Sequence, residues 1–341
     1  MDEALDLWSS ILAQAPAPAS PELLSLLPGL FPIFEAATDS APLALQIAES
    51  YILLAPQEVL HDRNRFQLLV SLETLLGSAT RQRIGIVPHL VELLIRAVAT
   101  IDGGSEASYN ILAKSLIDSS FLSSLLDGLY SAYEASQTAG PKKKSPVVYG
   151  VVETDYFSVL ARLALASPRI FMTAISAATG TSDEYALKWI LSEWFSHYDN
   201  IGNVTQKKLH ALALTQLLSV NGSDLPPPSY ILDHLQSYLT TWTDIVTELS
   251  EGSQDPRGGD YLIFWNNTET GKSQENERPE SIRRRQWENA DVVHNTDIRH
   301  FVKMRLQAVI IGCGGEQRFQ EEWLVNVDRE VSTAFGGLGI L

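Results

Sequence analysis

The sequence predicts an all-α fold of the HEAT/armadillo type, in which helix pairs stack into an α-α superhelix (solenoid). Three observations predict it. Apolar residues recur at three- and four-residue spacing along most of the 341 positions. No convincing polar/apolar alternation marks a strand in residues 1–135. Pro, Gly, Ser and Asp turns recur so that two helices with their turns take about 40 residues, the length of a HEAT or armadillo unit. A compact helical bundle is the alternative. The solenoid is preferred because no helix is long enough for a bundle spine, and because Leu26-Leu27-Pro28 and Ile86-Val87-Pro88 place a Pro in comparable apolar helical contexts.

The elements follow in order. Leu5, Trp8, Ile11 and Leu12 form the first helical stripe. Ser20-Pro21 is a helix-start signal, and Leu23 to Phe34 continue the pattern with kinks expected at Pro28 and Pro32. Leu43 to Leu54 end at Pro56, Phe66 to Leu76 end at Gly77, and Ile84 to Val98 end at Gly103-Gly104. Tyr109 to Ile117 and Phe121 to Tyr133 make a further pair. Residues 137–150 read as a Pro/Lys/Ser linker loop between repeats, with Lys142-Lys143-Lys144 as a solvated run, a localisation signal or an anion contact, and Ser145-Pro146 as a phosphorylation site. Helices resume with Tyr156 to Leu165, Ile170 to Ala178, Leu187 to Phe195 opened by Ser182-Asp183-Glu184, Lys207 to Val220, and Tyr230 to Leu249. The expected organisation is therefore repeats over 1–136 and 151–250, a polar linker over 251–290 with an apolar anchor at 261–265, and a helical cap over 291–341. In that cap Ile298 to Ile311 is an amphipathic helix ended by Gly312 to Gly315, and two short helices close the chain.

Composition excludes several classes. There are 41 acidic against 25 basic side chains, a net charge of −16. Nucleic-acid binding needs clustered Lys and Arg, so it is not expected. Basic partners are. Residues 1–140 hold 16 of the acids and 6 of the bases. One cysteine, Cys313, rules out an intrachain disulfide and a CxxC metal site. The acidic, amphipathic start is not a signal peptide, and no apolar run reaches the roughly 18 residues of a membrane span. An intracellular chain is expected, which makes the sequons at Asn203, Asn221 and Asn266 chance matches. No phosphate loop, HExxH or G-x-S-x-G is present. Ile311-Gly-Cys-Gly-Gly315 follows a helix and reads as its terminal turn. His294 and His300 are six apart, which is not ligand spacing on a helix. Glu321-Glu322 reads as a solvated pair. No catalytic residue, cofactor or metal is expected.

Two stretches carry a family resemblance. One is Asp291-Val-Val-His294, then Ile298-Arg-His-Phe301, then Phe319-Gln-Glu-Glu-Trp323 and Val327-Asp328-Arg-Glu-Val331. The other is Trp189 to Phe195 with Asp199-Asn-Ile201 and Lys207-Lys208-Leu209. Together they resemble the C-terminal end of the importin-beta (karyopherin-beta) family, nearest its importin-11 branch. The detailed likeness covers 150–341 and the general helical-repeat texture covers the rest. The resemblance implies a nuclear transport receptor moving between cytoplasm and nucleus. Such a receptor binds cargo and the GTPase Ran on an inner face and Phe-Gly nucleoporins in shallow apolar slots on an outer face. The family's amino-terminal Ran-binding repeats have no counterpart here, so a C-terminal portion is expected. A HEAT scaffold subunit of a stable complex is the alternative.

In a stacked array one helix of each pair lines a long surface, and charge there selects partners. Glu49, Asp62, Glu73, Glu92 and Glu106 are the acids expected to meet Lys/Arg-rich cargo, by steering and by close Arg–carboxylate pairs. Arg283-Arg284-Arg285 is the opposite patch. It either contacts an acidic surface of Ran or folds back onto the acidic body, where it would mimic cargo.

Overall fold

The structure, a computed structural model, describes residues 2–36, 40–77, 86–137, 146–222, 225–252 and 278–340. Lys142 to Lys144, Ser145, the apolar island 261–265 and the sequon at Asn266 lie outside the described residues.

Every regular element described is helical. The first stretch holds α1 (Asp2–Gln14), α2 (Pro21–Ser25), a 3-10 turn at Leu27–Leu30, and α3 (Phe31–Glu35). Pro28 and Pro32 therefore break the expected helix outright, since neither ring can supply the amide that a continuous helix needs. Then come α4 (Ala41–Leu54), α5 (Pro56–Val59), α6 (Asp62–Gly77), α7 (Ile86–Asp102), α8 (Glu106–Asp118) and α9 (Phe121–Gln137). After them lie α10 (Val151–Ala166), α11 (Pro168–Thr179), α12 (Asp183–Tyr198) and α13 (Val204–Leu217). The expected Tyr230–Leu249 helix is divided at Asp233-His234 into α14 (Ser229–Leu232) and α15 (Leu235–Gly252). The chain closes with α16 (Pro279–Ala290), α17 (Val292–Asn295), α18 (Ile298–Gly312), α19 (Glu316–Glu322) and α20 (Arg329–Gly336). Helix α16 falls inside the stretch expected to be linker.

The starts are chemically specified. Ser20, Ser105, Ser167, Ser182, Asn203 and Asp297 each sit at an N-cap and accept a hydrogen bond from an amide of the first turn. Asn203, a sequon by pattern, is thus a helix cap. Gly180 ends α11 in the left-handed region, at φ 64°. At the end of α18 the Gly315 amide donates to Ile310 O, with Gly314 and Gly315 at φ 93° and 102°, the helix-ending turn that the Gly-rich motif predicts.

The described residues form two compact units. Residues 2–125 and 278–294 make the first, and 126–252 with 295–340 the second. In the first, α1, α4 and α7 pack in one row while α3, α6 and α8 pack in another, and α3 with α4 and α6 with α7 close the pairs. Helix α4 is apolar nearly all round and buried on α1, α7 and α16, as such a helix must be. Its Tyr51 hydroxyl accepts from Trp8 Nε1 at 2.9 Å and donates to Leu23 O at 2.7 Å, and burial pushes its pKa up to about 12.

The second unit repeats the two-row arrangement. Helices α10, α13 and α15 form one row, α11, α12 and α14 the other, and α18 and α20 pack onto α13 and α15. Phe157, Leu160, Trp194 and Trp242 are fully buried there. Two glycines permit close approach. A Cβ on Gly128 would lie 3.0 Å from the Tyr156 ring, and one on Gly312 would lie 2.9 Å from Pro226 N, which is immovable backbone.

Candidate functional site

The acids expected at a partner-facing surface divide into two groups. Asp62, at the start of α6, and Glu106, in the first turn of α8, are exposed, and Glu73 is half-buried and accepts from Ser124 Oγ at 2.8 Å. Glu49 and Glu92 are buried, at 0% and 8% exposure. The apolar neighbours that bury Glu49 are its own helix's Ile47, Ala48, Tyr51 and Ile52.

Glu49 meets the basic run. Arg284 Nη1 donates to Glu49 Oε1 at 2.6 Å, and its other nitrogens hold Glu280, one turn earlier on α16. Ser50 Oγ donates to the same Glu280 oxygen at 3.0 Å. Burial disfavours the Arg284 charge, but Glu49 and then Glu280 more than offset it, so its pKa stands above the ordinary value. Arg283 points elsewhere. It donates to Ala15 O at 2.6 Å and Leu12 O at 3.0 Å, capping the last carbonyls of α1, and burial lowers its pKa. Arg96 of α7 holds the end of the same segment through Trp287 O at 2.9 Å and Asp291 at 3.3 Å. Two of the three arginines thus fold back within the first unit, and Arg285 is exposed.

A shallow apolar cavity of about 230 Å³ lies in the same unit. Leu60, Val98, Ile101, Ile111 and Leu112 line it, and Ile111 is half exposed. Its polar wall is Arg65, fixed by Ser115 Oγ at 2.8 Å, Leu60 O at 2.7 Å and Asp62 at 2.8 Å. The pairing leaves Asp62 half engaged by its own chain.

A polar cluster inside the second unit was not singled out by sequence. Glu153 Oε2 of α10 lies 3.2 Å from His197 Nδ1 of α12, whose Nε2 lies 2.7 Å from Thr154 Oγ1. Trp194 Nε1 donates to His210 Nδ1 at 3.0 Å, so His210 carries its proton on Nε2 and directs it at Ser158 Oγ, 3.0 Å away. Burial, with His197 and Arg162 adding, lowers the His210 pKa to about 3, and it is a neutral core residue. Glu193 faces Glu153. Burial first, then Glu153, raises its pKa to about 7. The signal that could have found this cluster is the insertion of Glu153, Glu193, His197 and His210 into stripes of Leu, Trp and Phe.

The chemically reactive candidates are placed in structural roles or at the surface. His294 and His300 are exposed, and the Cys313 thiol is half-buried with its pKa raised by burial and Glu322. Glu322 pairs with Arg318 at 3.0 Å. The tail motif is likewise architectural. Asp297 caps α18, Phe319 is buried, and Asp328 exchanges two bonds with Gln236, at 2.9 and 3.1 Å. Among the described residues, no helix is long and apolar enough to cross a membrane.

The family described as "Importin-11-like, TPR repeats" matches residues 1–340. The chain belongs to this importin-11-like family. Among curated relatives, importin beta-like protein kap113 of Schizosaccharomyces pombe is 25% identical over 96% of this chain and 29% of its own length. Human importin-11 is 22% identical over 98% of this chain and 31% of its own, and the mouse protein is 23% identical over the same shares. The chain therefore spans about a third of the length of the relatives it matches. A solved structure of Lph2, described as a bidirectional nuclear transport receptor of S. cerevisiae, superposes with a TM-score of 0.75 at 18% identity, covering 99% of this chain and 34% of that one. That likeness shows the fold, the all-α solenoid that the helical periodicity predicts. The importin-11-like family is described by tetratricopeptide repeats, which like HEAT units are stacked helix pairs, but of about 34 residues. The pairs that begin at Val151 and Asp183 are spaced near that period.

Proposed function

We propose that this chain is the helical-repeat portion of a nuclear transport receptor, which carries macromolecular cargo between cytoplasm and nucleus by reversible binding without bond chemistry. The observation that carries the reading is the match of residues 1–340 to the importin-11-like family. The printed names of the relatives support it. Ran in its GTP form is the partner proposed for the receptor as a whole.

The geometry adds two finer proposals. The cavity bounded by Leu60, Val98, Ile101 and Ile111 takes the aromatic ring of a Phe-Gly nucleoporin repeat, because it is apolar, shallow and open at the surface. Lys/Arg-rich cargo meets the exposed acids, with Asp62, Glu73 and Glu106 ahead of Glu49 and Glu92, which lie inside the unit. Glu49 reaches cargo only when α16 withdraws Arg284. Arg285 is the member of the basic run that a Ran surface would touch.

Immobilised Phe-Gly repeats, with Ser-Gly repeats as control, test the receptor reading. Retention on Phe-Gly alone is expected. Equal retention on both, or stable copurification with fixed partners in its place, favours a scaffold subunit. A salt titration of binding to a basic cargo tests the acids, since screening must weaken a contact made of surface charge.

A further inference from the structure

The second unit carries a slot built for a cation. On α12, Tyr185, Trp189 and Glu193 follow one another at four-residue spacing and so share one face. Facing them from α9 are Tyr130 and Tyr133, whose rings lie 5.2 and 6.0 Å from Trp189. Both tyrosines are half-buried, and Tyr185 is exposed at 55%. Behind this collar lies the Glu193 carboxyl. The exposed Ser136, one turn beyond Tyr133, donates to Glu193 Oε2 at 3.4 Å, so this buried acid is joined to the surface at the rim.

Deeper still is Glu153, at 6% exposure. His197 engages its Oε2, but Oε1 is buried with no hydrogen-bond partner. Such an acceptor costs free energy as it stands. Among the described residues, no Lys or Arg forms an ion pair with either carboxylate. Arg162, the cation of α10, lies nine positions beyond Glu153, or about 13 Å along the helix axis, and acts on His210 instead. Two facing carboxylates without a cation hold a proton between them, and a cation of suitable shape would replace it.

We propose that Tyr130, Tyr133, Trp189, Glu193 and Glu153 form a binding site for one arginine side chain presented by a partner protein. The guanidinium is planar. It stacks on the Tyr133 ring while its N–H groups reach Glu193 and the open oxygen of Glu153. A bare divalent ion fits less well, because it asks for six or more oxygens and the slot offers two carboxylates among aromatic rings. The site goes beyond the transport reading and stands without it, since nothing in it depends on Ran or on nucleoporins.

The test is a pentapeptide with a central arginine, set against its citrulline counterpart, which keeps the shape and loses the charge. Binding to the full chain is followed through the indole resonance of Trp189, assigned with Trp189→Phe. The arginine peptide should bind at least tenfold more tightly than the citrulline peptide. Glu193→Gln should weaken it at least tenfold, and Tyr133→Leu about fivefold, near the lower range of a cation–π contact. Should Glu193→Gln fold poorly, Tyr133→Leu carries the test alone. Equal binding of the two peptides, or native affinity in both variants, overturns the proposal. Neither result bears on Phe-Gly retention, which tests the receptor reading separately.

Discussion

Replacing Arg284 by Met tests whether α16 is held by charge. Glu49 is fully buried, and Arg284 approaches it at 2.6 Å with only 16% of its own side chain exposed. Removing one partner of a buried ion pair costs about 3–5 kcal/mol, because the other charge is left in a poor medium. Glu49 retains a further contact, so the lower end applies, about 3 kcal/mol. For a unit of this size that amounts to a fall of roughly 6–12 °C in its melting temperature. Glu49→Gln should cost a similar amount. The double variant should recover about 2 kcal/mol relative to the sum of the singles, because it buries no lone charge. Thermal unfolding gives the totals, and amide exchange in α16 locates the loss in the first unit. Costs that simply add, with α16 exchange unchanged in both singles, would refute the reasoning.

Three further outcomes follow from the geometry. Glu193 has its pKa raised by burial to about 7, so the folded state holds a proton that the unfolded chain releases near the usual carboxylate value. Its contribution is complete below that value and is lost as pH rises toward 7, by roughly 2–3 kcal/mol. Glu193→Gln should flatten this stability loss between pH 5 and pH 8 in a melting series, and an unchanged slope would count against it. Gly312→Ala forces a Cβ to 2.9 Å from Pro226 backbone, and should cost about 1–3 kcal/mol in denaturant unfolding. Gly180→Ala meets no neighbouring atom and pays only for its left-handed φ of 64°, so its loss should be about 1 kcal/mol. Ile111→Asp, at the mouth of the apolar cavity, should abolish Phe-Gly retention and leave the melting temperature within a few degrees, since Ile111 is half exposed.

Much of the architecture is legible from residue order because it rests on local chemistry. Ser20, Ser182 and Asp297 announce helix starts by offering an oxygen to a free amide, and the Gly312–Gly315 run announces an end. What the chain hides is decided across long separations. Helix α16 has few apolar residues and reads as linker, yet Arg284 and Arg283 bury it against residues more than 230 positions earlier. Glu49 reads as a surface acid until the apolar residues all round α4 are weighed. The carboxylates Glu153 and Glu193 lie forty positions apart on separate helices, and either alone looks like one polar residue in an apolar stripe. Their facing geometry comes from the packing of α10 and α12.

The account rests on a stack of helix pairs that holds Phe-Gly segments reversibly. Fluorescently labelled chain added to permeabilised cells measures this most directly. The native chain should concentrate at the nuclear rim and wash out on dilution, while Ile111→Asp should stay diffuse. Diffuse native chain, or rim staining unaffected by Ile111→Asp, would contradict it.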